Sequence, residues 1–183
     1  FLNGMLDTIA PGVRIIDGNE PSYTYSSAYD YFRGYHLIKQ PALTLIALEN
    51  QEKYVTQVQA GMAVYMDRVL TLQGPRNNWM DYLTPMEKLR WLEHNLYYAL
   101  NATDEYVWVY SERVNWWAGL MWRDVPPPSE GTESAIRSAL EKVALDEPLG
   151  FEMSWIIAAA EKRMSLPHSL SRAEMARLVI AGL

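Results

Sequence analysis

The sequence predicts an α/β chain that forms the carboxyl-terminal part of a (β/α)8 barrel: three β/α units, followed by extra helices. Three observations carry this expectation. Three apolar runs, Val13–Asp17, Val58–Tyr65 and Tyr106–Tyr110, have the β-branched and aromatic content of buried strands. Stretches with helical periodicity separate them, and such alternation implies parallel strands joined by right-handed crossovers. Three strands are too few for a complete barrel, and a helix ahead of the first strand favours the final portion of one over a small three-layer sheet.

Residues 1–9 read as a helix closed by Pro11-Gly12, and Asp17-Gly18-Asn19-Glu20-Pro21 is a turn-rich exit from the first strand. Ser27-Ala28-Tyr29-Asp30 has the form of a capping box and opens a helix to about Gln40. Pro41 breaks or kinks it, and helical character resumes through Leu48 to Tyr54. Met66-Asp67-Arg68 forms the exit of the second strand, where an ion pair fixing the loop is the expected role of Asp67 and Arg68. Thr84-Pro85-Met86-Glu87 is a helix start with N-cap, proline and acid in place, and Leu89, Leu92, Leu96 and Leu100 give that helix one apolar face. Ser129 is read as the cap of a further helix, Pro148-Leu149-Gly150 ends it, and two more helices are expected near 151–163 and 171–181. Residues 1–147 are thus assigned to the barrel portion and 148–183 to a helical extension.

Composition narrows the function classes. The 183 residues hold 7 Trp and 12 Tyr but only 3 Phe, a bias toward rings with a polar edge, which suits sugars and wet interfaces as well as ordinary packing. A net charge of −6 without a Lys/Arg cluster disfavours nucleic acid and anionic membranes as partners. No apolar run is long enough to span a bilayer. With no cysteine there is no thiol nucleophile, and His36, His94 and His168 have no metal-ligand spacing, so neither metal nor cofactor is expected. Gly-rich phosphate loops and Gly-x-Ser-x-Gly elbows are absent. The opening residues Phe1-Leu2-Asn3-Gly4 read as the middle of a helix, so the chain is expected to continue a longer protein; a secreted or periplasmic location is favoured if a signal lies upstream.

Two strand ends carry the candidate chemistry. Each apolar run stops at carboxylates, Asp17 and Glu20 in one and Glu112 in the other, and aromatics follow: Tyr23 and Tyr25, then Trp116 and Trp117. Acids at the carboxyl ends of parallel strands occupy the edge where α/β folds keep their sites. A pair of carboxylates flanked by aromatic platforms is the equipment of glycoside hydrolysis, whose separation of about 5–5.5 Å for retention or about 6.5–9.5 Å for inversion sets the stereochemistry. Glu20 and Glu112 are the candidate catalytic pair. Asp17, Asn19, Tyr23, Tyr110, Asn115, Trp116 and Trp117 are candidate substrate-binding residues. The plainer alternatives are an Asp-Gly-Asn turn capping the next helix, and a salt bridge from Glu112 to Arg113 or Arg68.

Over roughly residues 1–145, Asp17-Gly18-Asn19-Glu20 with Tyr23 and Tyr25, then Thr103-Asp104-Glu105-Tyr106-Val107-Trp108-Val109-Tyr110-Ser111-Glu112 with Asn115-Trp116-Trp117, resembles bacterial glycoside-hydrolase-like (β/α)8-barrel proteins of largely unknown activity. The pattern is similar to the retaining barrel glycosidases, and the resemblance implies that Glu20 is the acid/base and Glu112 the nucleophile. In those enzymes two strands separate the acids; this sequence places one, Val58–Tyr65, between them. The expected partner is an oligosaccharide or polysaccharide. The alternatives are a non-catalytic carbohydrate-binding protein and a barrel fragment that assembles with a remaining barrel segment or a partner chain.

Overall fold

The computed structural model describes residues 1–19, 25, 27–67, 78–112, 114–116 and 126–165. Its helices are α1 (Leu2–Thr8), α2 (Ala28–Lys39), α3 (Gln51–Gln57), α4 (Pro85–Asn101), α5 (Thr132–Ala144) and α6 (Met153–Ser165). Its strands are β1 (Ile15–Asp17), β2 (Val58–Ala60), β3 (Met62–Tyr65) and β4 (Val107–Tyr110). Short 3-10 turns cover Pro41–Leu45, Leu48–Asn50 and Trp79–Tyr82.

The strands form two two-stranded ladders, β1 with β2 and β3 with β4, both parallel. They meet on one extended segment, residues 58–65. Gly61 donates its N–H to Asp17 on the β1 side, and Met62 donates to Tyr106 on the β4 side. Three β/α units of a (β/α)8 barrel are therefore not what the chain forms. The Val58–Tyr65 run is used almost whole and Tyr106–Tyr110 pairs from Val107 onward, whereas Val13–Asp17 pairs over three residues only. Gly12 (φ 84°) delays the start of β1, and the Asp17-Gly18-Asn19 turn ends it, with Asn19 at φ 42° and its N–H donated to Asp17 Oδ1 at 3.0 Å. β4 ends where Ser111 and Glu112 are drawn toward Asp67.

Alternation puts Met62, Val64, Val107 and Val109 on the face covered by helices, in a cluster with Trp91, Leu92, Leu96 and Ala99 of α4. α6 contributes Met153, Ile156 and Ala160 to this same cluster. It is held further by Arg163, which donates to the Tyr82 carbonyl at 2.9 Å and pairs with Glu87. A second, smaller cluster of Leu6, Ile46, Tyr54 and Val58 lies behind β1 and β2.

Asp104, just ahead of β4, ties the carboxyl end of β2 to α2. It accepts from Lys39 Nζ at 2.6 Å, from the Ala60 N–H at 2.7 Å and from the Tyr35 hydroxyl at 3.0 Å. Burial pushes its pKa up, but these donors outweigh that and hold the carboxyl below its ordinary 3.8.

Candidate functional site

β3 and β4 leave their ladder side by side, and the residues just beyond them make a small hydrogen-bonded unit. Asp67, 8% exposed, accepts from Ser111 Oγ at 2.9 Å and from the Glu112 N–H at 2.7 Å. Ser111 Oγ in turn accepts from the Val114 N–H at 2.9 Å. Asp67 thus fixes the backbone of the turn that carries Glu112, while the Glu112 side chain stays exposed. One of its oxygens accepts from the Tyr110 hydroxyl at 2.6 Å. The Tyr110 ring lies 5.5 Å from that of Tyr65, its partner in the ladder, with 32° between their planes. The result is a carboxylate held at the hydroxyl of one of two adjacent phenol rings.

The Asn115 N–H donates to the Pro126 carbonyl at 2.8 Å, and Trp116 is 38% exposed. The structure therefore brings Tyr110 and Glu112 into direct contact and sets Asn115 and Trp116 shortly after them in the chain. Trp117 lies outside the described residues, as do Glu20 and Tyr23.

The other strand end is built differently. The Asn19 amide donates to the Tyr25 hydroxyl, and both groups sit over Gly34 of α2, where a Cβ would collide with each of them. Burial and the nearby Asp30 carboxylate push the Tyr25 phenol above its ordinary 10, so it stays protonated. Tyr25 meets Tyr31 edge-on at 5.0 Å, and the Tyr31 hydroxyl donates to Asn95 Oδ1 at 2.7 Å. Asn19 is accordingly tied to the helical layer, and Asp17 accepts the Asn19 N–H within its own turn.

The two exits are staggered. β1 ends opposite Ala60, whereas β4 ends opposite Tyr65, five residues further along the shared segment. At about 3.3 Å per residue this is roughly 16 Å of strand length. A separate cavity of about 440 Å³, lined in part by Val13, Arg14, Lys53 and Gln57, opens at the opposite end of the strands from Glu112.

Among the described residues no three His, Asp or Glu side chains converge as metal ligands, and no helix is long and apolar enough to cross a membrane. Comparison of the chain with protein-family models, curated proteins and solved structures returns no match.

Two features of this region carry little signal in the sequence. Asp67 acts on a turn about 45 positions away, so its grip on Glu112 is invisible to local reading. Trp108 stands out only through the two glycines it contacts: a Cβ at Gly18 or Gly61 would fall within 2.8 Å of its indole. Glycines at a strand exit and in the middle of an apolar run are the sequence trace of that close approach.

Proposed function

We propose that the protein acts on a neutral carbohydrate as a glycoside hydrolase, with Glu112 as one reacting carboxylate and Glu20 as the other. The observation that carries this reading is the Glu112 unit: an exposed carboxylate at a strand exit, held by the Tyr110 hydroxyl at 2.6 Å and fixed through its backbone by Asp67. A group that attacks an anomeric carbon, or passes a proton to the leaving oxygen, must be aimed before the sugar arrives, and hydrogen bonds that lock its rotamer supply that aim. The resemblance of the two acid-bearing motifs to those of glycosidases supports the same reading. Adjacent phenol rings suit the apolar C–H faces of a pyranose.

The test is release of reducing ends from a panel of neutral polysaccharides and 4-nitrophenyl glycosides. Glu112→Gln is expected to lower turnover roughly 100- to 10,000-fold, the usual worth of a positioned proton-transfer or nucleophilic group, with near-UV circular dichroism unchanged. Unchanged turnover in that variant would remove Glu112 from the chemistry.

The Tyr65–Tyr110 ring pair also suits a second reading, carbohydrate binding without cleavage. In that case Glu112→Gln and the parent chain bind the same glycan, and neither releases product.

A further inference from the structure

The connection from α1 to β1 is a firmly held turn. Val13 donates its N–H to the Ala10 carbonyl at 3.2 Å, with Pro11 and Gly12 between them and Gly12 at φ 84°. Proline at the second position and a positive φ at the third are the marks of a type II turn, and that φ is why a glycine stands there. A side chain of α3 holds the turn in place: Gln57 Nε2 donates to the Ala10 and Val13 carbonyls, each at 2.9 Å. The turn and α3 are thereby fixed to one another, and both line the cavity of about 440 Å³. Small-molecule sites have volumes of about 300–1,000 Å³.

The walls of this cavity divide by chemistry. Ile9, Pro11 and Val13 supply an apolar side, and Arg14 and Lys53 supply two cations. No carboxylate is among the described residues that line it. In a chain of net charge −6 this is a local reversal of sign.

The two cations are not equivalent. Arg14 is matched by Glu105, in an ion pair whose two side chains are both exposed. Lys53 is half-buried on α3, and its Nζ donates to the Leu6 carbonyl at 2.7 Å. That carbonyl belongs to the last turn of α1, so the bond fixes the ammonium and engages one of its three donors. Among the described residues no carboxylate pairs with Lys53. The cavity wall therefore carries one positive charge with no protein anion to balance it.

We propose that this cavity binds a small monocarboxylate with a short apolar chain, its carboxylate accepting from the Lys53 ammonium and its chain lying against Ile9, Pro11 and Val13. One unmatched cation calls for one negative charge, which a carboxylate carries and a phosphate dianion exceeds. The charge-assisted hydrogen bond supplies the anchor, and burial of the chain supplies the remaining affinity. The site lies at the opposite end of the strands from Glu112, so it stands or falls separately from the carbohydrate reading.

Titration of the isotope-labelled full chain with hexanoate, followed through its amide chemical shifts, tests the site. Saturating shifts are expected at Gly12, Val13, Lys53 and Gln57, and none at Ser111 or Glu112. Hexanol has the chain without the charge, and inorganic phosphate has charge without the chain; each is expected to bind at least about tenfold more weakly than hexanoate, a difference of roughly 1.4 kcal/mol. Lys53→Met should raise the hexanoate dissociation constant by a similar factor. Because Lys53 also holds the end of α1, that variant is expected to melt at a lower temperature too. Val13→Glu separates the two effects. Val13 is 49% exposed and makes its hydrogen bonds through its backbone, so the melting temperature should be unchanged. The new carboxylate would compete for Lys53 and abolish binding.

The assignment is overturned if hexanoate produces no saturating shifts, or if its shifts fall elsewhere in the chain. Hexanol binding as tightly as hexanoate would leave only an apolar cleft, and phosphate doing so would leave only an adventitious anion site. A Val13→Glu chain that binds hexanoate as the parent does would place the carboxylate somewhere other than Lys53.

Discussion

Trp91→Ala is expected to destabilise the protein by about 3–5 kcal/mol, the usual cost of removing a fully buried tryptophan. Trp91 is 1% exposed, belongs to the cluster shared by α4, β3 and α6, and meets the Trp79 ring at 5.1 Å. Its loss would open a void bounded by three elements that cannot all close in on it. Urea titration should show a lower midpoint with an unchanged slope. Trp91→Phe should cost markedly less, because a ring remains and the indole N–H, which has no partner among the described residues, is removed with the substitution. A Trp91→Ala loss near zero would mean that the cluster is not the core of the molecule.

The second large effect is a dependence of stability on pH set by His94. This residue is 5% exposed, its ring lies edge-on to Tyr98 at 4.8 Å, and its Nδ1 has no partner among the described residues. Burial pushes its pKa from 6.5 down to about 4. Above pH 6.5 the residue is neutral in both the folded and the unfolded chain and contributes no pH dependence. Between 6.5 and about 4 the unfolded chain takes up a proton that the folded chain refuses, so stability falls steadily as the solution is acidified. Across that window the loss is expected to reach about 3 kcal/mol, since each pH step of one costs roughly 1.4 kcal/mol. Asp104 extends the decline: its depressed pKa gives stability that is present above 3.8 and is lost as pH falls through the lower folded value. Urea midpoints at pH 7.5 and 4.5 for the parent and for His94→Leu would show the difference. An equal acid shift in both proteins would acquit His94.

The sequence was most legible where the governing contacts are local. Ser27-Asp30 and Thr84-Glu87 are both capping boxes in the structure, because each needs only a side-chain oxygen and an N–H three residues apart. The segment after Pro41 departs from the expected helix and forms two 3-10 turns before α3 begins at Gln51. Ser129 is not the N-cap of the helix that follows it. Gly131, at φ 87°, takes that position, and a Leu89 methyl lies 2.7 Å from where its Cβ would be. That constraint comes from α4, some forty positions away, and leaves no local mark. The helix expected near 151–163 is found at Met153–Ser165, and the one expected at 171–181 lies outside the described residues.

Strand identity was legible for the same reason, and strand pairing was not. The runs around Ile16, Val64 and Trp108 announce extended backbone through their side chains, but the length over which they pair depends on where each neighbour turns away. That is why a barrel pattern in the sequence became two short ladders in the fold. In the candidate site, Glu112 was visible as an acid ending an apolar run. The grip of Asp67 on its backbone, and the reach of Trp108 to Gly18, join residues that only the fold brings together.

The handover at Gly61 has a dynamic consequence. β1 pairs only with residues 58–60 and β4 only with 62–65, so the two ladders share a backbone but no paired residue. Each is backed by its own hydrophobic cluster. The α1–β1–α3 portion can therefore detach while the β3–β4–α4 portion stays intact, as a separate cooperative unit. Native-state hydrogen exchange should resolve two groups of amides: Ile15 to Asp17 opening at a lower free energy, and Met62 to Val64 exchanging only on complete unfolding. A single common opening energy for both groups would show that the two ladders melt as one.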